Sequence, residues 1–202
     1  MPSKKLTSIL LSAIVATSFS TIANADTRSA QATATWKATA IKDTKSVLVV
    51  TPLKSLTFNY AEGEKSFNQQ NGAFDIAIQG QSGATDFKLE SKIISNTLAR
   101  TTDTSKLKVG VKWNGEDLKT DSNIILIDTL DGKTSGLDNL SAKGSYDSTK
   151  RVTDRGEFTF VIASAESAGT PVQFSELTDG TWDGDVKVQF TATWTGTFAA
   201  IP

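Results

Sequence analysis

Asp179, Asp183 and Asp185, in the segment DGTWDGD, are the carboxylates whose spacing first suggests chemistry. Hard cations such as calcium take grouped carboxylate oxygens. The spacing fits no EF-hand loop, however, and Asp-Gly is an ordinary turn-forming pair. Asp128, Asp131 and Asp138 are strung along a polar stretch and make a weaker set, so no bound metal is expected. Asn139-Leu140-Ser141 fits the glycosylation sequon, which alone does not establish modification. The chain has 22 acidic residues, and any two can be paired on paper as a glycosidase acid and nucleophile. It has no histidine and no cysteine, which removes the commonest general base, the commonest metal ligand and the thiol nucleophile. There is no G-x-S-x-G elbow and no Gly-rich phosphate loop between a strand and a helix. The residue types therefore point away from an enzyme, and no cofactor is expected.

The remaining function has to lie in what the chain binds or builds. Lys4 and Lys5 precede an apolar run from Leu6 to Ala16, and Ala23-Asn24-Ala25 has the small-x-small form that signal peptidase cuts after. Residues 1–25 are thus expected to be a leader cleaved after Ala25, and the protein to be exported. The run is shorter than the roughly 20 residues that span a bilayer, and no later stretch is long enough. Loss of Lys4 and Lys5 leaves 19 of the 21 basic residues against 22 acidic ones, a net charge of −3. That balance speaks against a nucleic-acid partner. Without cysteine, stability must come from core packing or from a partner chain.

Two-residue alternation broken by Gly, Asn and Asp recurs along the chain. It predicts strands over Val47–Val50, Leu56–Tyr60, Phe74–Ile78, Phe87–Ile93, Leu107–Trp113, Ile124–Ile127, Phe158–Ile162 and Val186–Trp194. Asn114-Gly115 after VGVKW signals a tight hairpin turn. The polar stretch Asp131–Arg155 reads as surface loop, with a short strand or helical turn near Leu137–Leu140, and Thr197–Pro202 as an unstructured tail. Many short strands without an amphipathic helix indicate an all-β sandwich.

The tetrapeptide TATW occurs at residues 33–36 and again at 191–194. Around the first copy Ala30, Ala32, Ala34, Trp36, Ala38 and Ala40 alternate with Gln31, Thr33, Thr35, Lys37 and Thr39. Around the second, Val186, Val188, Phe190, Ala192 and Trp194 alternate with Lys187, Gln189, Thr191, Thr193 and Thr195. A helical face through Ala30 would mix apolar with polar positions, whereas a strand separates them, so both copies read as strands with one apolar face. The first copy fits either the opening strand of a self-sufficient sandwich or an extended arm, set off by the polar residues Lys42–Ser46, that buries its apolar face elsewhere.

The segments TATWKATA, VVTPLKSLTFNYAEG and GTWDGDVKVQFTATW resemble the major pilins of the enterobacterial common pilus, or Mat fimbria, over about Ala30–Trp194. The resemblance implies an incomplete immunoglobulin-like β-sandwich that lacks its final strand, residues 41–202, preceded by a donor-strand extension over residues 26–40. It implies that Ala30, Ala32, Ala34, Trp36 and Ala38 of one subunit fill a groove edged by Val186, Val188, Phe190, Ala192 and Trp194 of the next, a form of strand addition. Implied partners are identical pilin subunits, a periplasmic chaperone, an outer-membrane usher, a tip adhesin and a host-cell receptor, with the product on the cell surface as a fimbrium serving adhesion and biofilm formation. A self-contained secreted carbohydrate-binding sandwich, with exposed aromatics as its platform, is the alternative reading.

Overall fold

The computed structural model describes residues 47–198. The expected leader with its cleavage site after Ala25, and the expected arm with Ala30, Ala32, Ala34, Trp36 and Ala38, lie outside the described residues. In chain order the strands are β1 (Leu48–Pro52), β2 (Tyr60–Ala61), β3 (Ser66–Phe67), β4 (Gln70–Gln79), β5 (Ala84–Ser95) and β6 (Thr97–Ala99). They continue as β7 (Lys106–Trp113), β8 (Glu116–Asp117), β9 (Ile124–Asp128), β10 (Arg151–Ser167), β11 (Thr170–Val172) and β12 (Lys187–Gly196). Two single-turn helices, α1 (Asp138–Ser141) and α2 (Lys143–Tyr146), precede β10.

The larger sheet runs β1-β4-β10-β7-β6, with β11 and β8 hairpinned onto β10 and β7; the smaller runs β12-β5-β9. All of these pairings are antiparallel. Alternation explains why both sheets close over one core. Phe74, Ile76 and Ile78 of β4, Phe87, Leu89 and Ile93 of β5, and Leu107, Val109, Val111 and Trp113 of β7 take every second position and are buried. The all-β, immunoglobulin-like sandwich read from the sequence is the fold of the described residues.

One corner joins the sheets. β5 continues into β6 through Asn96, so a single run of chain leaves the small sheet and enters the large one. Asn96 is buried there; its Nδ2 donates to the Val109 carbonyl at 2.6 Å and its own carbonyl accepts from Val109 N at 2.8 Å. The turn expected at Asn114-Gly115 is present, with both residues at positive φ, 47° and 86°.

The structure departs from the sequence reading in three places. The strand predicted over Leu56–Tyr60 alternates as expected, with Leu56 and Phe58 packed on the core, but only its last residue, Tyr60, joins a ladder, the short pairing of β2 with β3. Alternation reports a buried face; a strand also needs a hydrogen-bonding neighbour. The stretch expected as surface loop ends earlier, because β10 starts at Arg151, and it carries core: Leu137, Leu140 and Tyr146 are buried. The Tyr146 ring stacks on Phe87 at 6.1 Å and its hydroxyl donates to the Thr85 carbonyl. Thr197, expected in the tail, is hydrogen-bonded from its amide to the Gly83 carbonyl at 3.1 Å.

The smaller sheet's β9 is tied to β5 by charge. Lys88 Nζ lies 2.7 Å from Asp128 Oδ2, and Asp128 is buried while Lys88 is partly exposed. The Lys88 hydrogen bond, against the opposing effect of burial, holds the Asp128 carboxyl below its ordinary value, and the same bond raises Lys88.

Two outcomes follow from this packing. Leu140→Ala should cost about 2–5 kcal/mol in urea unfolding, the range for a buried leucine rather than for a loop position. A carboxyl lowered by folding contributes stability that is full above its unfolded value of about 4 and lost as pH falls through the folded one. The melting temperature should therefore drop as pH falls below about 4, and Asp128→Asn should flatten part of that drop. Lys88, raised by folding, adds stability that disappears only as pH rises through its elevated value.

Candidate functional site

The inward rows of the two sheets are not equally covered. Along β5, Ile93, Ser91, Leu89 and Phe87 are buried. Their partners across the ladder are Val188, Phe190, Ala192 and Trp194 of β12, which face the same interior but are only half-buried. Val186, just ahead of the strand, is half-buried too. The five apolar residues that alternation singled out thus form one row, packed against the core on one flank and uncovered on the other.

The cause is that, among the described residues, the smaller sheet ends at β12. The Phe190 ring lies 5.1 Å from Phe74 of β4 and 5.8 Å from Phe158 of β10, so β12 sits over that pair of strands. β1 continues the larger sheet beyond β4. Among the described residues no strand pairs with the outer edge of β12, so no strand of the smaller sheet faces β1.

β1 and the residues after it form the opposite wall. Leu48 and Val50 pair with Ile78 and Ile76 and so share their inward face; the isoleucines are fully buried, the β1 residues half-buried. Pro52 pairs with Phe74, beside Phe190. The chain then passes Leu56 and Phe58 to Tyr60, whose ring meets Phe67 at 5.5 Å, and Phe67 meets Trp182 at 6.3 Å. At the other end Trp194 packs on Phe87 at 5.2 Å. The slot is therefore walled by Leu48, Val50, Leu56 and Phe58 on one side and by Val186 to Trp194 on the other.

Trp194 Nε1 and the Tyr60 hydroxyl are buried without a hydrogen-bond partner, and burial pushes the Tyr60 phenol up, with Glu62 adding to the effect. Trp113 Nε1, packed against Phe74 and Phe158 in the core, is a third such atom. A free strand edge with an uncovered apolar row has one plain physical use, which is to accept another strand.

The carboxylates that opened the sequence reading serve backbone geometry instead. Asp183 pairs with Ala99 through main-chain bonds of 2.9 and 3.0 Å, and the Asp179 carbonyl accepts from Arg100 Nη2. Among the described residues no group of three or more His, Cys, Asp or Glu is placed to hold a metal ion. Among the described residues, the tryptophans offer no exposed platform of the kind the carbohydrate reading expects: Trp113 is buried, Trp182 and Trp194 pack on the core, and Phe198 is the one aromatic among the exposed large hydrophobics. The sequence reading missed the wall of Leu48, Val50, Leu56 and Phe58. Part of its signal was present, since Leu56 and Phe58 alternate with polar residues in KSLTFN, but Leu48 and Val50 flank apolar Val49, and alternation does not say which neighbour is missing.

Comparison with known proteins gives a consistent result. The family model described as Fimbrillin MatB matches residues 29–194. Curated relatives named common pilus major fimbrillin subunit EcpA are 50% identical, over 177 residues in Escherichia coli and 178 in Klebsiella pneumoniae; in both, the match covers 86% of this chain and 90% of the relative. Among solved structures, the CooA pilin subunit from enterotoxigenic Escherichia coli matches with a TM-score of 0.48 and 16% identity, over 71% of this chain and 87% of that one.

Proposed function

The chain belongs to the MatB fimbrillin family, and from that premise we propose that it is the major structural subunit of an adhesive surface pilus, joined to its neighbours by donor-strand exchange. The observation that carries this reading is the half-covered row of β12 beside an unpaired strand edge. A subunit one strand short is stabilised by a strand from elsewhere, and residues 29–40 have the required pattern. Five apolar positions, Ala30, Ala32, Ala34, Trp36 and Ala38, recur with the same two-residue period as Val186, Val188, Phe190, Ala192 and Trp194. An arm on one molecule and a slot on the next make a head-to-tail contact that does not close on itself, which yields a filament.

The partners follow from the same exposed edge. Before assembly the slot presents apolar surface and unpaired backbone, an aggregation hazard that calls for a periplasmic chaperone lending a strand until an outer-membrane usher exchanges it for a neighbour's arm. A tip adhesin at the fibre end and a host-cell receptor complete the proposed set, with export through the periplasm directed by residues 1–25. Adhesion and biofilm formation belong to the fibre as a whole.

Magnitudes locate the grip of the arm. Each buried alanine methyl contributes about 0.8 kcal/mol, whereas a tryptophan that buries about 150–250 Å² contributes roughly 4–6 kcal/mol at about 25 cal/mol per Å². Trp36 therefore rivals the donor alanines combined. The backbone ladder adds direction and register more than net energy.

Deleting residues 26–40 should leave a subunit that still receives a strand but cannot donate one; normal fibres from that variant, seen by negative-stain electron microscopy, would refute donor-strand exchange by this arm. Trp36→Ala should lower the temperature at which fibres dissociate more than Ala34→Ser does, and equal dissociation temperatures would remove Trp36 from its leading place.

A further inference from the structure

The inward row of β12 changes in size along its length. It reads Val186, Val188, Phe190, Ala192, Trp194, so Ala192 is its one small residue. An aromatic cluster stands on each side of it. The Phe190 ring joins Phe74 at 5.1 Å and Phe158 at 5.8 Å, and those two stack at 5.0 Å. The Trp194 ring packs on Phe87 at 5.2 Å, and Phe87 stacks on Tyr146 at 6.1 Å. Between the two clusters the row offers only a methyl group.

The facing wall is aliphatic at the same level. β12 ends at Gly196, paired with Ala84, a short turn after β4 ends at Gln79, so from the Phe190 contact with Phe74 both strands run the same way. Ala192 comes two residues after Phe190, as Ile76 comes two after Phe74, and Ile76 pairs with Val50 of β1. Sheets of such a sandwich cross at about 30°, which over two residues displaces the strands by less than one strand spacing. A strand laid against β12 thus meets a notch at Ala192, over Ile76 and Val50, with aromatic rings before and after it.

The arm has the opposite profile. Ala30, Ala32, Ala34, Trp36 and Ala38 make a row of methyl groups with one indole. Facing side chains on paired strands lie about 4.5–5.5 Å apart and share one layer of the core, so a filled core sets large against small. With Trp36 opposite Ala192, one of Ala34 and Ala38 faces Phe190 and the other faces Trp194, whichever way the arm runs. Slipping by one pair drives the indole into an aromatic cluster and leaves a methyl facing a methyl. That puts a crowded site beside a void, and both destabilise a core.

We propose that Ala192 is a specificity-determining residue of the slot: it seats Trp36 of a neighbouring subunit's arm and so fixes the register of the arm. This seating rests on the donor-strand reading above and concerns the slot once the arm has replaced the chaperone's strand.

The absence of cysteine from the chain makes the register directly readable. Thr35 and Lys37 flank Trp36 on the polar face of the arm, and Thr191 and Thr193 flank Ala192 on that of β12, so substitutions there leave both inward residues in place. Each full-length variant combines Thr35→Cys or Lys37→Cys with one of Gln189→Cys, Thr191→Cys, Thr193→Cys and Thr195→Cys. Assembled fibres are oxidised and run on a non-reducing gel. Facing pairs come within disulfide reach, whereas pairs two residues out of register lie about 7–8 Å apart and do not. Position 35 should join 193, and 37 join 191, for an antiparallel arm; a parallel arm gives 35 to 191 and 37 to 193. A disulfide from either arm position to 189 or 195 would overturn the seating and leave the donor-strand reading intact. No disulfide in any variant would overturn both. Size is tested separately: Ala192→Leu, which fills the notch, should slow fibre growth about tenfold, and adding Trp36→Ala should restore part of that rate because the two positions share one space. A double variant slower than either single one would also defeat the seating.

Discussion

An apolar strand face with cover on only one flank is the constraint from which the rest of this molecule follows. β12 pairs with β5 and turns Val188, Phe190, Ala192 and Trp194 inward, yet its other edge meets no strand among the described residues. A protein interior is normally packed to crystal-like density, and a strand-wide gap between two walls of apolar side chains is far from that state. Among the described residues the outer edge of β12 is left without a strand, and the proposed function has a strand from outside the domain complete it.

The remainder of the domain is finished well enough to tolerate the gap. The larger sheet, the buried faces of β5, β7 and β9, and the helical turns that bring Leu137, Leu140 and Tyr146 inward form one continuous core away from the slot. Other edges are short or tied down: β6 has three residues, and β9 ends in Asp128, held by Lys88 and paired through its backbone with Lys133. The outer edge of β12 is thus the long edge left available. In the proposed assembly, strand addition at this one edge by an arm at one end of the chain would give growth in one direction, the directionality a fibre needs.

The same economy explains where the charges went. With no histidine or cysteine, the polar side chains act as fasteners for loops and edges. Asp103 receives Arg100 and Ser105, Asp128 receives Lys88, and Asp75 receives Arg155. The DGTWDGD segment, which looked most like a ligand set, contributes backbone carbonyls, two tightly placed glycines and an indole to the start of the accepting strand. Its carboxylates mark turns, as Asp-Gly pairs commonly do.

The sequence by itself determined the alternation: which residues of β4, β5, β7, β10 and β12 face inward, where the Asn114-Gly115 turn falls, and that both TATW copies have one apolar side. These properties depend on neighbours two residues apart, so they are legible in one dimension. Only the tertiary structure decided that the row from Val186 to Trp194 lacks a neighbour, that Leu48, Val50, Leu56 and Phe58 form the facing wall, and that Arg100 and Ser105 meet Trp182 about 80 residues later. Alternation states that a face must be buried, but what buries it is set by strand order and by contacts between distant parts of the chain. In this protein the covering strand belongs to no residue between 47 and 198, which is why the second TATW takes its meaning from a gap in the fold.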